Sequence, residues 1–222
     1  MMKFIRRFKD LGISGHSAQW YDKNSRNHRI EEMKGYADEV IKHVKNGASI
    51  LDAAPGPGYL AIELAKLGHY KITGLDISND FVNIARANAK AAGVDVEFKQ
   101  GNISDMPFAD NIFDFITCTA AFKNFKEPIK ALNEMFRVLK PGAAALIVDM
   151  DRDVTGKQLD NYANNIGVKG IEALFMRLIF KYFLIKGAYN KDEFINLISR
   201  TSFKVSDIKK NGIALYVYLK KT

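Results

Sequence analysis

Apolar positions along this chain follow two different periods. Between Ile30 and Val44 they recur at Ile30, Met33, Tyr36, Ala37, Val40, Ile41 and Val44, the spacing of one helix face, and Asn46-Gly47 closes the run. From residue 48 onward, short apolar runs alternate with helix-length amphipathic segments. ASILDAA leads to YLAIELAKL, KITGLDI to FVNIARANAKAAG, VEFKQGN to the loop SDMPFADN, and FDFITCTAA to EPIKALNEMFRVLK, closed by Pro141-Gly142 before the run AALIVDM. Apolar runs separated by helix-length crossovers predict a parallel sheet and an α/β fold. Several runs are apolar nearly throughout, as strands are when helices cover both faces. After Asp149 the rhythm breaks. Residues 157–186 read as one or two helices with no strand between them, and KDEFINLISRT as another, capped by Asn190. FKVSDIKK and IALYVYLKK meet at Asn211-Gly212, a strong hairpin signal, so the sheet is expected to end in an antiparallel pair. Residues 1–27 are polar and basic and read as an arm. With no internal repeat or low-complexity linker, 1–222 reads as one domain, with 1–46 as an N-terminal cap and 153–189 as a helical insertion.

Composition changes this picture little. An apolar content of 47% and a charged content of 26% are those of an ordinary globular protein. The lone cysteine, Cys118, rules out an internal disulfide and fits a cytoplasmic setting. A net charge of +8 admits nucleic acid, anionic lipid or an anionic small molecule as a partner, although scattered solubilising lysines are the plainer reading. The start, MMKFIRRFKDLGISG, lacks the long apolar run of a signal peptide. The most apolar helix, IEALFMRLIFKYFLIKGAY, carries Arg177 and Lys181 and is not expected to span a bilayer. No cysteine–histidine grouping has metal-site spacing, so no metal is expected.

The chemistry concentrates at LDAAPGPGYLAIELAKLG, a strand–turn–helix junction with two glycines and two prolines. Gly56-Pro57-Gly58-Tyr59-Leu60-Ala61 fits the dinucleotide pattern G-x-G-x-x-A, but Asp52 stands just ahead of the turn, where it would repel a pyrophosphate. Pro55 and Pro57 also remove backbone donors that a pyrophosphate needs. S-adenosylmethionine has the opposite requirement, because its ammonium and sulfonium attract a carboxylate. Asp76, at the end of the next strand, is placed to accept the ribose hydroxyls; Ile77 can flank an adenine, and Asn102 and Ile103 end the third strand where an amide could read its edge.

These residues resemble the class I S-adenosylmethionine-dependent methyltransferases, and most closely the methyltransferase type 11 group, similar to the ubiquinone/menaquinone-biosynthesis methyltransferases. The resemblance runs from about Trp20 to Asp149, through WYD, ILDAAPGPG, GLDIS, GNISDMPFADNIFDFI and EMFRVLKPGAAALIVD. It implies a Rossmann-like, seven-stranded, mostly parallel sheet with an antiparallel last strand. It also implies that Asp52, Ala54, Gly56 and Gly58 hold the methionine part of the cofactor, that Asp76 binds the ribose, that Ile77, Asn102 and Ile103 surround the adenine, and that Thr119 to Ala121 lie under the methyl-donor end. Tyr21 is placed near the cofactor. The chain departs from the family at Ala54, where a glycine is usual, at Asn102, where aspartate is frequent, and at AAFKNF, where relatives often carry a histidine pair.

Methyl transfer from a sulfonium chiefly requires alignment, and a base only where the acceptor must lose a proton early. Tyr21, Lys123 and Asn124 are the candidates to orient or deprotonate an acceptor; His16 and His28 read better as surface or capping residues, and Cys118 as core packing. Lys123 is expected either to meet an acidic substrate or to be solvated. The insertion, with Phe175, Met176, Ile179, Phe180, Phe183 and Leu184, is expected to pack as core or a homodimer interface or to lid a partly apolar acceptor, hinged near Asn164, Asn165 and Gly167. The function expected is methyl transfer to a small-molecule acceptor. Its rivals are a nucleic-acid methyltransferase, an inactive cofactor-binding protein, and a membrane-surface contact through FIRRF.

Overall fold

The structure is a computed structural model that describes residues 12–165, 170 and 185–222. Among these residues a seven-stranded sheet forms, built from β1 (Ser49–Ala53), β2 (Lys71–Asp76), β3 (Glu97–Gln100), β4 (Phe113–Thr119), β5 (Leu139–Met150), β6 (Lys204–Asn211) and β7 (Ala214–Lys220). Its spatial order is β3-β2-β1-β4-β5-β7-β6. The pairs among β1 to β5 are parallel, and β7 runs antiparallel to both β5 and β6. The chain steps outward from β1 to β3 and then returns to β4 on the other side of β1. The crevice at that reversal is where open α/β sheets bind ligands.

Helices cover both faces. On one face lie α1 (His16–Ile41), α2 (Tyr59–Leu67) and α3 (Asn79–Ala92); on the other lie α4 (Pro128–Val138) and α6 (Lys191–Ile198). A further helix, α5 (Gly156–Asn165), follows β5. Strand side chains alternate between the two cores. Ile50, Phe115, Leu146 and Val148 pack with α1, α2 and α3, while Leu51, Ile116, Ala145 and Ile147 pack with α4 and α6. α6 begins with the expected Asn190 cap, whose side chain accepts from the Glu193 amide while Glu193 returns a bond to the Asn190 amide.

Two boundaries differ from the sequence reading. The N-terminal helix starts at His16 rather than near 28, so residues 16–27 are helix and not arm. Their stretch, HSAQWYDKNSRN, has no apolar stripe because it docks mainly through polar side chains, and Trp20 is 67% exposed. Pro141-Gly142 does not close α4. That helix stops at Val138, and β5 begins at once, its pairing with β4 jumping from Phe113↔Leu139 to Phe115↔Ala144. The Pro-Gly pair lies in the resulting bulge, a site that accommodates a residue without a ladder donor. Asn164 and Asn165, expected to be a hinge, are the last residues of α5. Gly167 and the apolar side chains from Phe175 to Leu184 lie outside the described residues, as does the interface they were expected to form.

Candidate functional site

The glycine turn joins β1 to α2. Ala54, Gly56 and Gly58 all have positive φ, at 60°, 56° and 81°. Gly58 is required twice over, since a Cβ there would also come within 2.8 Å of the Phe98 ring and 2.9 Å of Ala85. Gly56 has open space where a Cβ would stand. No side chain caps the first turn of α2, so its amides stay available. β2 closes against the turn. The Gly56 amide donates to Asp76 Oδ2 at 2.9 Å, the Ser78 amide to Asp76 Oδ1 at 2.9 Å, and the Ala54 amide to the Leu75 carbonyl at 2.8 Å.

Asp52 is the anomaly. Its side chain is fully buried, and neither oxygen has a hydrogen-bond partner. Burial, reinforced by the nearby Asp76 charge, pushes its carboxyl up to about 7, against a weak pull from the Ala61 amide, which stands outside hydrogen-bond geometry. Burial also raises Asp76, opposed by its two backbone amides. A buried, unpaired carboxylate is costly. A cationic ligand group would complete it, and a pyrophosphate would not. The residues present therefore fit the ammonium and sulfonium of S-adenosylmethionine and disfavour a nicotinamide dinucleotide.

The other expected contacts distribute unevenly. Ile77 is half-buried at the end of β2. Asn102 spends its side-chain oxygen on the Ser104 amide at 2.8 Å, and Ile103 packs into the core beside Leu75 and Met106, only 4% exposed. Thr119, at the end of β4, is buried, and its hydroxyl faces Met33 Sδ of α1 at 3.8 Å. Tyr21 is half-buried on α1, edge-on to Phe81 of α3. Asn124 is exposed.

Lys123 corrects the expectation of a solvated side chain. It is buried in the short turn Phe122–Asn124, where Nζ donates to Asp149 Oδ1 and to the Ala120 carbonyl, each at 2.8 Å, and its amide donates to Asp149 Oδ2 at 2.8 Å. Ala120 has φ 55°, so the ammonium pins a left-handed turn directly after β4. These bonds fix the backbone just after β4. Cys118 is buried, and burial followed by the Asp149 charge raises its thiol well above the ordinary value, in keeping with packing.

Sequence reasoning missed Asp149, although it ends an apolar strand as Asp52 and Asp76 do, and that shared position was a readable signal. It also missed a clasp between α1 and the turn. Tyr59 donates to Asp22 Oδ1 at 2.6 Å, Asn88 donates to Asp22 and to the Pro57 carbonyl, and Arg26 bonds both Asp22 and Asn88. Next to it, the Gly15 amide donates to Asp80 and the Ser78 hydroxyl to the Ile13 carbonyl, so residues 12–15 cross the outer end of β2. Apart from Arg26 and Asp22, one helical turn apart, the bonding partners are at least 31 residues apart in sequence, and nothing local announces them.

Comparison with known proteins agrees with this geometry. The chain is 35% identical over 134 residues to the ubiquinone/menaquinone biosynthesis C-methyltransferase UbiE of Bdellovibrio bacteriovorus, covering 58% of this chain and 57% of that protein. It is 31% identical over 165 residues to the demethylmenaquinone methyltransferase of Chlorobaculum parvum, covering 71% and 66%. The chain thus spans roughly half to two thirds of these relatives' lengths. Its fold matches the crystal structure of an S-adenosylmethionine-dependent methyltransferase from Aquifex aeolicus with a TM-score of 0.66 at 22% identity, over 87% of this chain and 98% of that one. The family model described as a methyltransferase domain matches residues 44–175, more than half of the chain and the whole of the glycine turn, Asp52, Asp76 and the Lys123–Asp149 pair, so this protein belongs to the methyltransferase domain family.

Proposed function

We propose that the protein transfers the methyl group of S-adenosylmethionine to a small-molecule acceptor, and that the acceptor is a quinone-type aromatic ring. The observation that carries the first part is Asp52, a fully buried carboxylate with no partner beside a glycine turn. In this reading Asp52 and the turn at Ala54, Gly56 and Gly58 hold the aminoacyl end of the cofactor. Asp76 exchanges its Gly56 amide bond for ribose hydroxyls, and Ile77 and Asn102 flank the adenine. The bound cofactor supplies an electrophilic methyl on a good leaving group. The chain's own task is then placement. Thr119 and the turn pinned by Lys123 form the floor on the acceptor side, and Tyr21 of α1 is the candidate to orient the acceptor. The second part rests on the relatives, one a ubiquinone/menaquinone biosynthesis C-methyltransferase and the other a demethylmenaquinone methyltransferase. A cytoplasmic location is part of the proposal; no helix among the described residues is long and apolar enough to cross a membrane.

Thermal unfolding with S-adenosylmethionine, S-adenosylhomocysteine and NADH tests this directly. Ligand at about 100 times its dissociation constant adds about 2.7 kcal/mol. For a chain of this size that is about 5–10 °C in midpoint. The two sulfur compounds should shift wild type and leave Asp76→Ala unmoved. A shift with NADH alone would overturn the reading. Formation of S-adenosylhomocysteine with a reduced demethylmenaquinone analogue, and none without it, would then establish the acceptor class.

A further inference from the structure

Between α1 and α5 lies a group of polar side chains that the cofactor site does not use. Arg29 and Glu32 of α1 form an ion pair with side chains only 18% and 23% exposed. The Tyr36 hydroxyl donates to Glu32 Oε1 at 2.8 Å, and Tyr36 in turn meets the ring of Tyr216 on β7 edge-on. His28 Nε2 bonds the Tyr162 hydroxyl of α5 at 2.9 Å. Met33, one helical turn after Arg29, touches Thr119 at the end of β4. The cluster therefore stands over the strand end assigned above to the methyl-donor side.

Arg29 is under-used. A guanidinium carries five N–H donors. Here one nitrogen serves Glu32, and no other acceptor meets the group among the described residues. Its side chain is 18% exposed, and among the described residues the sealed, unpartnered side-chain atoms belong to Asp52 and Thr117, not to Arg29. Burial works against its charge, but Glu32 and the phenols of Tyr21, Tyr36 and Tyr162 hold it above its ordinary value, so it stays protonated. Those four residues are the titratable groups that act on it most strongly among the described residues. Burial, followed by Glu32, also pushes the Tyr162 hydroxyl up to about 12, which keeps it a neutral donor. A largely buried, permanently charged planar fork with spare donors, ringed by aromatic side chains, matches an aromatic ligand with an ionised oxygen.

We propose that Arg29 anchors the phenolate oxygen of the methyl acceptor between α1 and α5, beside Tyr21, Tyr36, Met33 and Tyr162. This deepens the reading above, on which it rests, by naming the ionised hydroxyl as the group recognised. Stabilising that oxygen as the anion makes the ring electron-rich while it waits for the donor.

The test uses a chromophoric phenol, 4-nitrophenol, titrated against pH in the presence of protein saturated with S-adenosylhomocysteine. Wild type should lower the apparent pKa of the bound probe by about one unit, a tenfold change in its ionisation. Arg29→Gln should abolish the shift, and Arg29→Lys should retain part of it, since the charge remains and the fork does not. Unchanged thermal stabilisation by S-adenosylhomocysteine in both variants would show that the fold and cofactor site are intact. Normal stabilisation of wild type with no effect on the probe would overturn the assignment, as would an equal effect in Arg29→Gln. Displacement of the probe by benzoate as readily as by unlabelled phenol would overturn the phenolate class. Loss of S-adenosylhomocysteine binding in both variants would make Arg29 a folding residue and overturn it as well. Failure of S-adenosylhomocysteine to stabilise wild type would instead sink the function reading above.

Discussion

The two sides of this crevice, proposed above for cofactor and for acceptor, are built by different means. On the cofactor side the work falls to backbone and to single strand-end residues: three positive-φ positions, the free amides of α2, and Asp52 and Asp76 at the tips of neighbouring strands. All of them lie within one stretch of strand, turn, helix and strand. On the acceptor side the parts come from α1, the ends of β4 and β5, and α5, and side chains make the contacts, as in Lys123–Asp149, His28–Tyr162 and Arg29–Glu32. A ligand shared by a whole family can be held by local backbone geometry. An acceptor particular to one chain requires side chains gathered from afar, and these can change without disturbing the sheet.

The largest test of this contrast is on the acceptor side. Lys123→Met leaves Asp149 buried with its charge uncompensated and should cost about 3–5 kcal/mol in urea unfolding. Lys123→Met combined with Asp149→Leu should recover most of that loss, because an apolar pair can replace a buried ion pair at little cost. Turnover should stay depressed in the double variant, since Ala120 would lose the contact that pins it. A double variant with full turnover would show that the pair serves stability alone.

Asp52 supplies the next effect, with the opposite sign. Its carboxyl sits at about 7 in the folded chain, against an ordinary value near 4 when unfolded. The folded state holds that proton more tightly, so the contribution of Asp52 to stability is intact below pH ~4 and is lost as pH rises through about 7. Asp52→Asn should therefore stabilise the unliganded protein at pH 8, by a few kcal/mol at about 1.4 kcal/mol per unit. The same change should weaken S-adenosylmethionine binding. Equal stability of the two proteins at pH 8 would mean that the carboxylate is not carrying a buried charge. The smallest effect concerns the turn itself. Ala54 has φ 60°, where a Cβ costs about 1–2 kcal/mol, so Ala54→Gly should raise stability by about 1 kcal/mol in the same unfolding assay.

The same contrast explains what the sequence disclosed. β1, β2, β4, the glycine turn, Asp52 and Asp76 were legible because each rests on residues a few positions apart, in periods set by strand and helix geometry. The first half of α1 was not, because Asp22 and Arg26 dock it by hydrogen bonds to Tyr59 and Asn88 and leave no apolar stripe to read. Lys123 was misjudged because its partner, Asp149, lies on the next strand across a whole helix, and a lysine's burial is not written in its neighbours. Arg29 and Glu32 look like any exposed helical pair until Tyr162 and Tyr216 arrive from the far end of the chain.

The position of β7 has a consequence in time rather than in space. It is the last in sequence of these seven strands, yet it sits inside the sheet, between β5 and β6. During synthesis the ribosome delivers β5 long before residues 214–220, and β6 reaches the sheet only through β7. For that interval the nascent protein carries the open edge of an apolar strand, the kind of surface that invites mispairing with another chain. The two-residue reversal after Asn211 shortens the wait, since once β6 has emerged its partner follows almost immediately and the two can dock as one hairpin.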